Sequence, residues 1–129
     1  MTRFNRTALL VVALTMIVAL PAMAQDPWVT KRVLSDAEGA TVIELNVSAG
    51  DRAIYGILVE DASASIQDII SPGGWAGISS EDAVAFRTVD SPITTGASVT
   101  FRIVTANRGA DLRVSFRDAK SYFGWKKTI

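Results

Sequence analysis

Two hydrophobic patterns divide this chain. From Ala8 to Leu20 every residue is apolar except Thr15, whereas from residue 28 onward apolar residues recur at every second position in short runs broken by Gly, Pro, Asn, Asp and Ser. An alternation of period two is what a half-buried β-strand requires, because successive side chains leave the backbone on opposite faces. It predicts seven strands: 28–34, 41–47, 53–59, 65–70, 83–89, 99–103 and 112–116. In 41–47, Ile43, Leu45 and Val47 share one face and Glu44 and Asn46 the other; Val99, Phe101 and Ile103 repeat the pattern, as do Leu112, Val114 and Phe116. The run 53–59 is apolar on both parities, which predicts a central strand covered on both sides. Turn signals such as Ser48-Ala49-Gly50-Asp51, Pro72-Gly73-Gly74, Asp90-Ser91-Pro92 and Asn107-Arg108-Gly109 punctuate the runs. The expectation is an all-β fold: a two-sheet antiparallel sandwich, immunoglobulin-like or jelly-roll-like, of about seven to eight strands. An up-and-down barrel is the alternative.

The other pattern reads as an export signal. Arg3 and Arg6 precede the apolar run, and Ala22-Met23-Ala24 follows Pro21 as a small-x-small cleavage site, so cleavage is expected after Ala24. Thirteen apolar-run residues at 1.5 Å each span about 20 Å as a helix, short of a bilayer core of about 30 Å. No Cys follows to accept a lipid. The expected product is one β-sandwich domain, residues 25–129, secreted or periplasmic and without a stable membrane anchor.

Composition narrows the chemistry. The chain has no Cys and no His, which removes disulfides, thiol nucleophiles, His-dependent triads and Cys/His metal sites. Its 13 Lys+Arg balance 13 Asp+Glu. Loss of residues 1–24 takes away two arginines and leaves a net charge of −2, a poor match to a nucleic-acid binder built on a broad basic surface. No cofactor and no metal are expected, nor is an enzyme: the doublets Glu60-Asp61 and Glu81-Asp82 have no Ca²⁺-loop motif around them, and neighbours on a strand point to opposite faces.

Ile54-Tyr55-Gly56-Ile57-Leu58-Val59-Glu60, Ser71-Pro72-Gly73-Gly74-Trp75, Val84-Ala85-Phe86, Ser91-Pro92-Ile93 and Gly96-Ala97-Ser98-Val99-Thr100-Phe101 follow one another in an order that resembles cohesin-type and related immunoglobulin-like modules of secreted bacterial proteins. The resemblance implies a β-sandwich that serves in adhesion, scaffolding or carbohydrate-associated assemblies. A polysaccharide or an envelope protein is the expected partner, and pairing through an exposed edge strand, as in a structural subunit, is the alternative.

Two sets of candidate binding residues stand out. Trp75, Tyr122 and Trp125 are aromatics with polar tips, suited to stacking on sugars or anchoring a partner. The competing reading makes Trp75 a plug in the open end of the sandwich and sets the C-terminal aromatics over an edge strand; the tendency of rings to find burial favours it for Trp75. The second set is Arg102, Arg113 and Arg117, which share an outward face if strands 99–103 and 112–116 pair. Such a patch suits an acidic glycan, phosphate or carboxylate. The competing reading pairs these arginines with carboxylates such as Glu44 or Asp118 on a solvated face.

Overall fold

The computed structural model describes residues 26–129, with the backbone alone for Tyr122–Thr128. The proposed signal segment, 1–24, and its cleavage site lie outside the described residues. Nine strands form among the described residues: β1 (Trp28–Ala37), β2 (Ala40–Ser48), β3 (Gly56–Asp61), β4 (Ile66–Ile70), β5 (Ala76–Ser79), β6 (Ala83–Arg87), β7 (Ser98–Thr105), β8 (Leu112–Arg117) and β9 (Tyr122–Thr128). They build a four-stranded sheet, β1-β2-β7-β4, and a five-stranded sheet, β5-β6-β3-β8-β9, with every strand pairing antiparallel. The expected all-β sandwich is the observed architecture. The two strands not anticipated are β5 and β9. β5 is four residues containing Gly77, too short for alternation to register, and β9 carries the aromatic Tyr122-Phe123-Gly124-Trp125 stretch.

Alternation becomes packing at the interface between the sheets. Ile43, Leu45 and Val47 on β2 and Phe101 and Ile103 on β7 meet Ile57 and Val59 on β3, Val84 and Phe86 on β6, and Leu112, Val114 and Phe116 on β8; all are buried. Each such side chain withdrawn from water contributes about 1.5–3 kcal/mol, and with no disulfide this layer is the main source of stability. β3 is the centre of its sheet, as expected, but it is covered on one side only: Leu58 and Glu60 on its outer face are half-buried, and Ile54, which made the run apolar on both parities, precedes the strand in an isolated bridge. One end is closed by a two-residue bridge in which Ile54 and Ile93 exchange backbone hydrogen bonds of 3.0 and 2.9 Å, with both side chains buried.

Sheet edges invite pairing with other chains unless they are blunted. On β1, Val29 is buried, but the next inward position is Lys31, whose ammonium donates to the Ala110 carbonyl at 3.2 Å, and the register shifts between Val33 and Ser35. A charge on the inner face and a bulge both disfavour strand addition. β4 has a register shift of its own between Ile66 and Asp68.

Candidate functional site

The topology distributes the sequence candidates in a way that their spacing did not reveal. Trp75 ends the β4–β5 loop, and its ring is only 8% exposed, edge-on to Phe101 at 5.0 Å and 86°. Phe101 in turn lies 4.8 Å from Phe86. The loop that delivers Trp75 is itself fixed. Thr88 Oγ1 donates to the Gly74 carbonyl at 2.7 Å and accepts from Ser91 N at 2.9 Å. Gly74 sits at φ +82°, and a Cβ there would stand 2.8 Å from the Ser91 Cβ, so glycine is required twice over. Trp75 therefore does not offer its face to a ligand: it fills the core, where an apolar ring of this size gains most. Tyr122 stands opposite Arg117 in the β8–β9 register. The side chains of Tyr122 and Trp125 lie outside the described residues.

The expected patch of Arg102, Arg113 and Arg117 is split. β7 pairs with β2 and β4, and β8 with β3 and β9, so these two strands, though consecutive in sequence, belong to opposite sheets. Arg102 lies on the outer face of the four-stranded sheet, 3.7 Å from Glu44, which also holds Arg32 at 3.3 Å. Arg113 and Arg117 lie on the outer face of the five-stranded sheet, where Arg87 of β6 joins them. Asp118, the carboxylate next to Arg117, pairs instead with Arg52 at 3.7 Å. Backbone amides of Ser121 and Lys120 also donate to Asp118 and hold its pKa below the ordinary carboxylate value.

Across the four-stranded sheet the outward residues align in rows. Trp28 stands opposite Ser48, which stands opposite Ser98; Thr30, Asn46 and Thr100 form the next row; Arg32, Glu44 and Arg102 the third. Asn46 Nδ2 donates to Thr100 Oγ1 at 3.2 Å, which fixes the amide while leaving its oxygen for another donor. Trp28 is 60% exposed. Sequence reasoning missed it because it opens the first strand, where alternation cannot say which parity faces out; the signal available was an indole placed one residue from Val29, since neighbours on a strand face opposite ways.

A cleft of about 520 Å³ opens where the β3–β4, β5–β6 and β7–β8 connections meet, lined by Glu60, Asp61, Ala62, Ala64, Asp82, Asp111 and Arg113. Asp61 is 1% exposed. Burial pushes its carboxyl up, but Ser63 N and Oγ donate to Oδ1 at 2.9 and 2.6 Å and Ser65 N and Oγ to Oδ2 at 3.0 and 2.7 Å, and together these bonds hold its pKa below the usual carboxylate range. A carboxylate so fully engaged is a loop-fastening group and is committed as an acceptor. Among the described residues no group of three or more carboxylates is arranged to hold a metal ion.

No protein family and no curated protein matches this chain. The comparison with solved structures gives a likeness in fold. Part of an inactive D437A mutant of the GH20 exo-β-N-acetylglucosaminidase from Vibrio harveyi superposes with a TM-score of 0.51 at 13% identity, covering 81% of this chain and 17% of that enzyme. The chitin-binding domain of Chi18aC from Streptomyces coelicolor aligns at 18% identity with a TM-score of 0.46, over 67% of this chain and 90% of that domain. At such identities the likeness to the enzyme concerns the fold alone: this chain is similar to a β-rich segment within a much longer protein.

Proposed function

We propose that this chain is an exported, non-catalytic β-sandwich module that binds a carbohydrate at the cell envelope or outside the cell, on the outer face of its four-stranded sheet. The observation that supports this reading is Trp28, an exposed indole placed in register beside the Ser48–Ser98 and Thr30–Asn46–Thr100 rows. A sugar ring has an apolar face and a hydroxyl rim. The indole supplies area for the face, and the hydroxyl and amide rows supply donors and acceptors for the rim. Carbohydrate-associated assembly is also what the cohesin-type resemblance implies. The alternative, a subunit that assembles through an edge strand, has the inward Lys31 and the bulges of β1 and β4 against it.

The test is a titration of the purified chain with N-acetylglucosamine oligomers, chosen because the similar enzyme is named for that sugar, and with a second neutral glycan, followed by calorimetry. At least one is expected to bind, and Trp28→Ala is expected to weaken it by about tenfold, or about 1.4 kcal/mol, with the melting temperature unchanged. Binding that survives Trp28→Ala intact, or no binding to either glycan, sinks the reading.

A further inference from the structure

On the outer face of the five-stranded sheet, Gly56 of β3 stands opposite Arg87 of β6 on one side and opposite Arg117 of β8 on the other. A Cβ built on Gly56 would stand 3.2 Å from the Arg117 Cβ and 3.4 Å from its Cδ. The stem of Arg117 therefore lies across the glycine and leans from β8 toward Arg87. Arg113 lies four residues along β8 on the same face, about 13 Å from Arg117 at strand rise. No described carboxylate lies within ion-pair distance of Arg87, Arg113 or Arg117. Glu60, also on this face, stands opposite Arg113 in the β3–β8 register; it is four residues along β3 from Gly56, again about 13 Å and beyond the roughly 8 Å screening length at physiological salt, so it leaves the Arg87–Arg117 pair unneutralised. Between Arg113 and Arg117, Ser115 is buried with its Oγ lacking a hydrogen-bond partner.

We propose that Arg87, Arg117 and Arg113 form a track for the carboxylates of an acidic polysaccharide, with Arg87 and Arg117 converging on one carboxylate over Gly56. Guanidinium forks match a carboxylate bidentately, and two forks held over a glycine floor accept it without a side chain in the way. The face is open, so a small free anion would be poorly enclosed, whereas a polymer engages Arg113 and the Arg87–Arg117 pair at once. β3, β6 and β8 are interior strands, with their backbone groups already paired, so the face offers side-chain chemistry alone and nothing to an acidic peptide's backbone. Half-buried Leu58 and Ala85 provide a floor for sugar rings. No described side chain of this face is an aromatic ring on which nucleic-acid bases would stack. Ile78, 80% exposed, is its one large, strongly exposed apolar side chain among the described residues, too little for a bilayer.

The experiment is calorimetric titration of the purified chain with polygalacturonate at increasing salt, beside poly-glutamate, a single-stranded oligonucleotide, phosphatidylglycerol vesicles and dextran. Polygalacturonate is expected to bind about tenfold or more tightly than the others, with affinity falling as salt rises. Arg87→Ala with Arg117→Ala is expected to weaken it at least about tenfold, and the double Lys variant, which keeps the charge and loses the forks, by several-fold. Gly56→Ala, which keeps every charge and pushes the Arg117 stem off the floor, is also expected to weaken it, while Arg102→Ala on the opposite face leaves it unchanged. Circular dichroism and melting confirm that each variant is folded. The proposal is overturned if polygalacturonate does not bind, if binding by the folded double Ala variant equals wild type, or if poly-glutamate, the oligonucleotide or the vesicles bind as tightly. Trp28→Ala keeps the two faces apart: loss of neutral-glycan binding with polygalacturonate binding intact belongs to the first face alone.

Discussion

The two outer faces of the sandwich handle the same residue type in opposite ways. On the four-stranded sheet, Glu44 lies between Arg32 and Arg102 and touches both, and Asn46 is tied to Thr100. On the five-stranded sheet, Arg87, Arg113 and Arg117 have no carboxylate at ion-pair distance among the described residues. The first face has its charge settled within itself and presents one exposed indole; the second holds cations over a glycine and a small-residue floor. The difference teaches that arginine on a strand says nothing about anion binding until the rows on either side are known.

The largest expected effect separates core from faces. Trp75→Ala removes a ring packed on Phe101 and is expected to cost about 3–5 kcal/mol in urea denaturation, with binding by the remaining folded protein unaltered on either face. A Trp75→Ala protein that keeps wild-type stability would falsify its place as a core residue. Next comes Asp61→Ala, expected to cost about 2–4 kcal/mol, because four donors lose a charged acceptor in a buried setting.

Asp61 also has a pH signature. Its folded pKa lies below the unfolded value, so its contribution is present in full above the unfolded pKa and is lost as pH falls through the folded one. Asp61→Asn should flatten the acid limb of a stability profile, and polymer binding near neutral pH should remain as in wild type. An Asp61→Asn profile with the wild-type acid slope would assign that slope to other carboxylates.

Glu44→Gln is a smaller change with the sharper meaning. Exposed cross-strand pairs are worth about 0 to 1 kcal/mol, so stability should hardly move. The four-stranded face would then carry Arg32 and Arg102 unneutralised, and weak, salt-sensitive polygalacturonate binding is expected to appear there even with Arg87 and Arg117 replaced by Ala. Absence of any such gain would show that the floor over Gly56, and not the missing carboxylate, distinguishes the second face. Smallest of all, Trp28→Ala should shift stability by no more than about 0.5 kcal/mol, since the residue is 60% exposed.

Much of the fold was legible before any tertiary contact was known. The inward parity of β2, β7 and β8, the central position of β3 and the turns around Gly73 and Gly109 all follow from period-two alternation and turn chemistry, which are local. β5 escaped because four residues hold barely two alternations, and Trp28 because a lone residue at a strand's start has no period. The site was legible only in part: Arg113 and Arg117 do share an outward face, since they are four apart on one strand, but their partner is Arg87 and not Arg102.

That substitution marks the boundary between the two kinds of information. Alternation along the chain determined which side of its own strand each residue occupies. Only the tertiary structure decided which strands lie side by side, sending β7 and β8 to different sheets and bringing β6 and β8 to either side of β3. The physical reason is range: a side chain's parity is set by its own backbone within a few residues, whereas strand order is set by how two whole apolar faces close over one core.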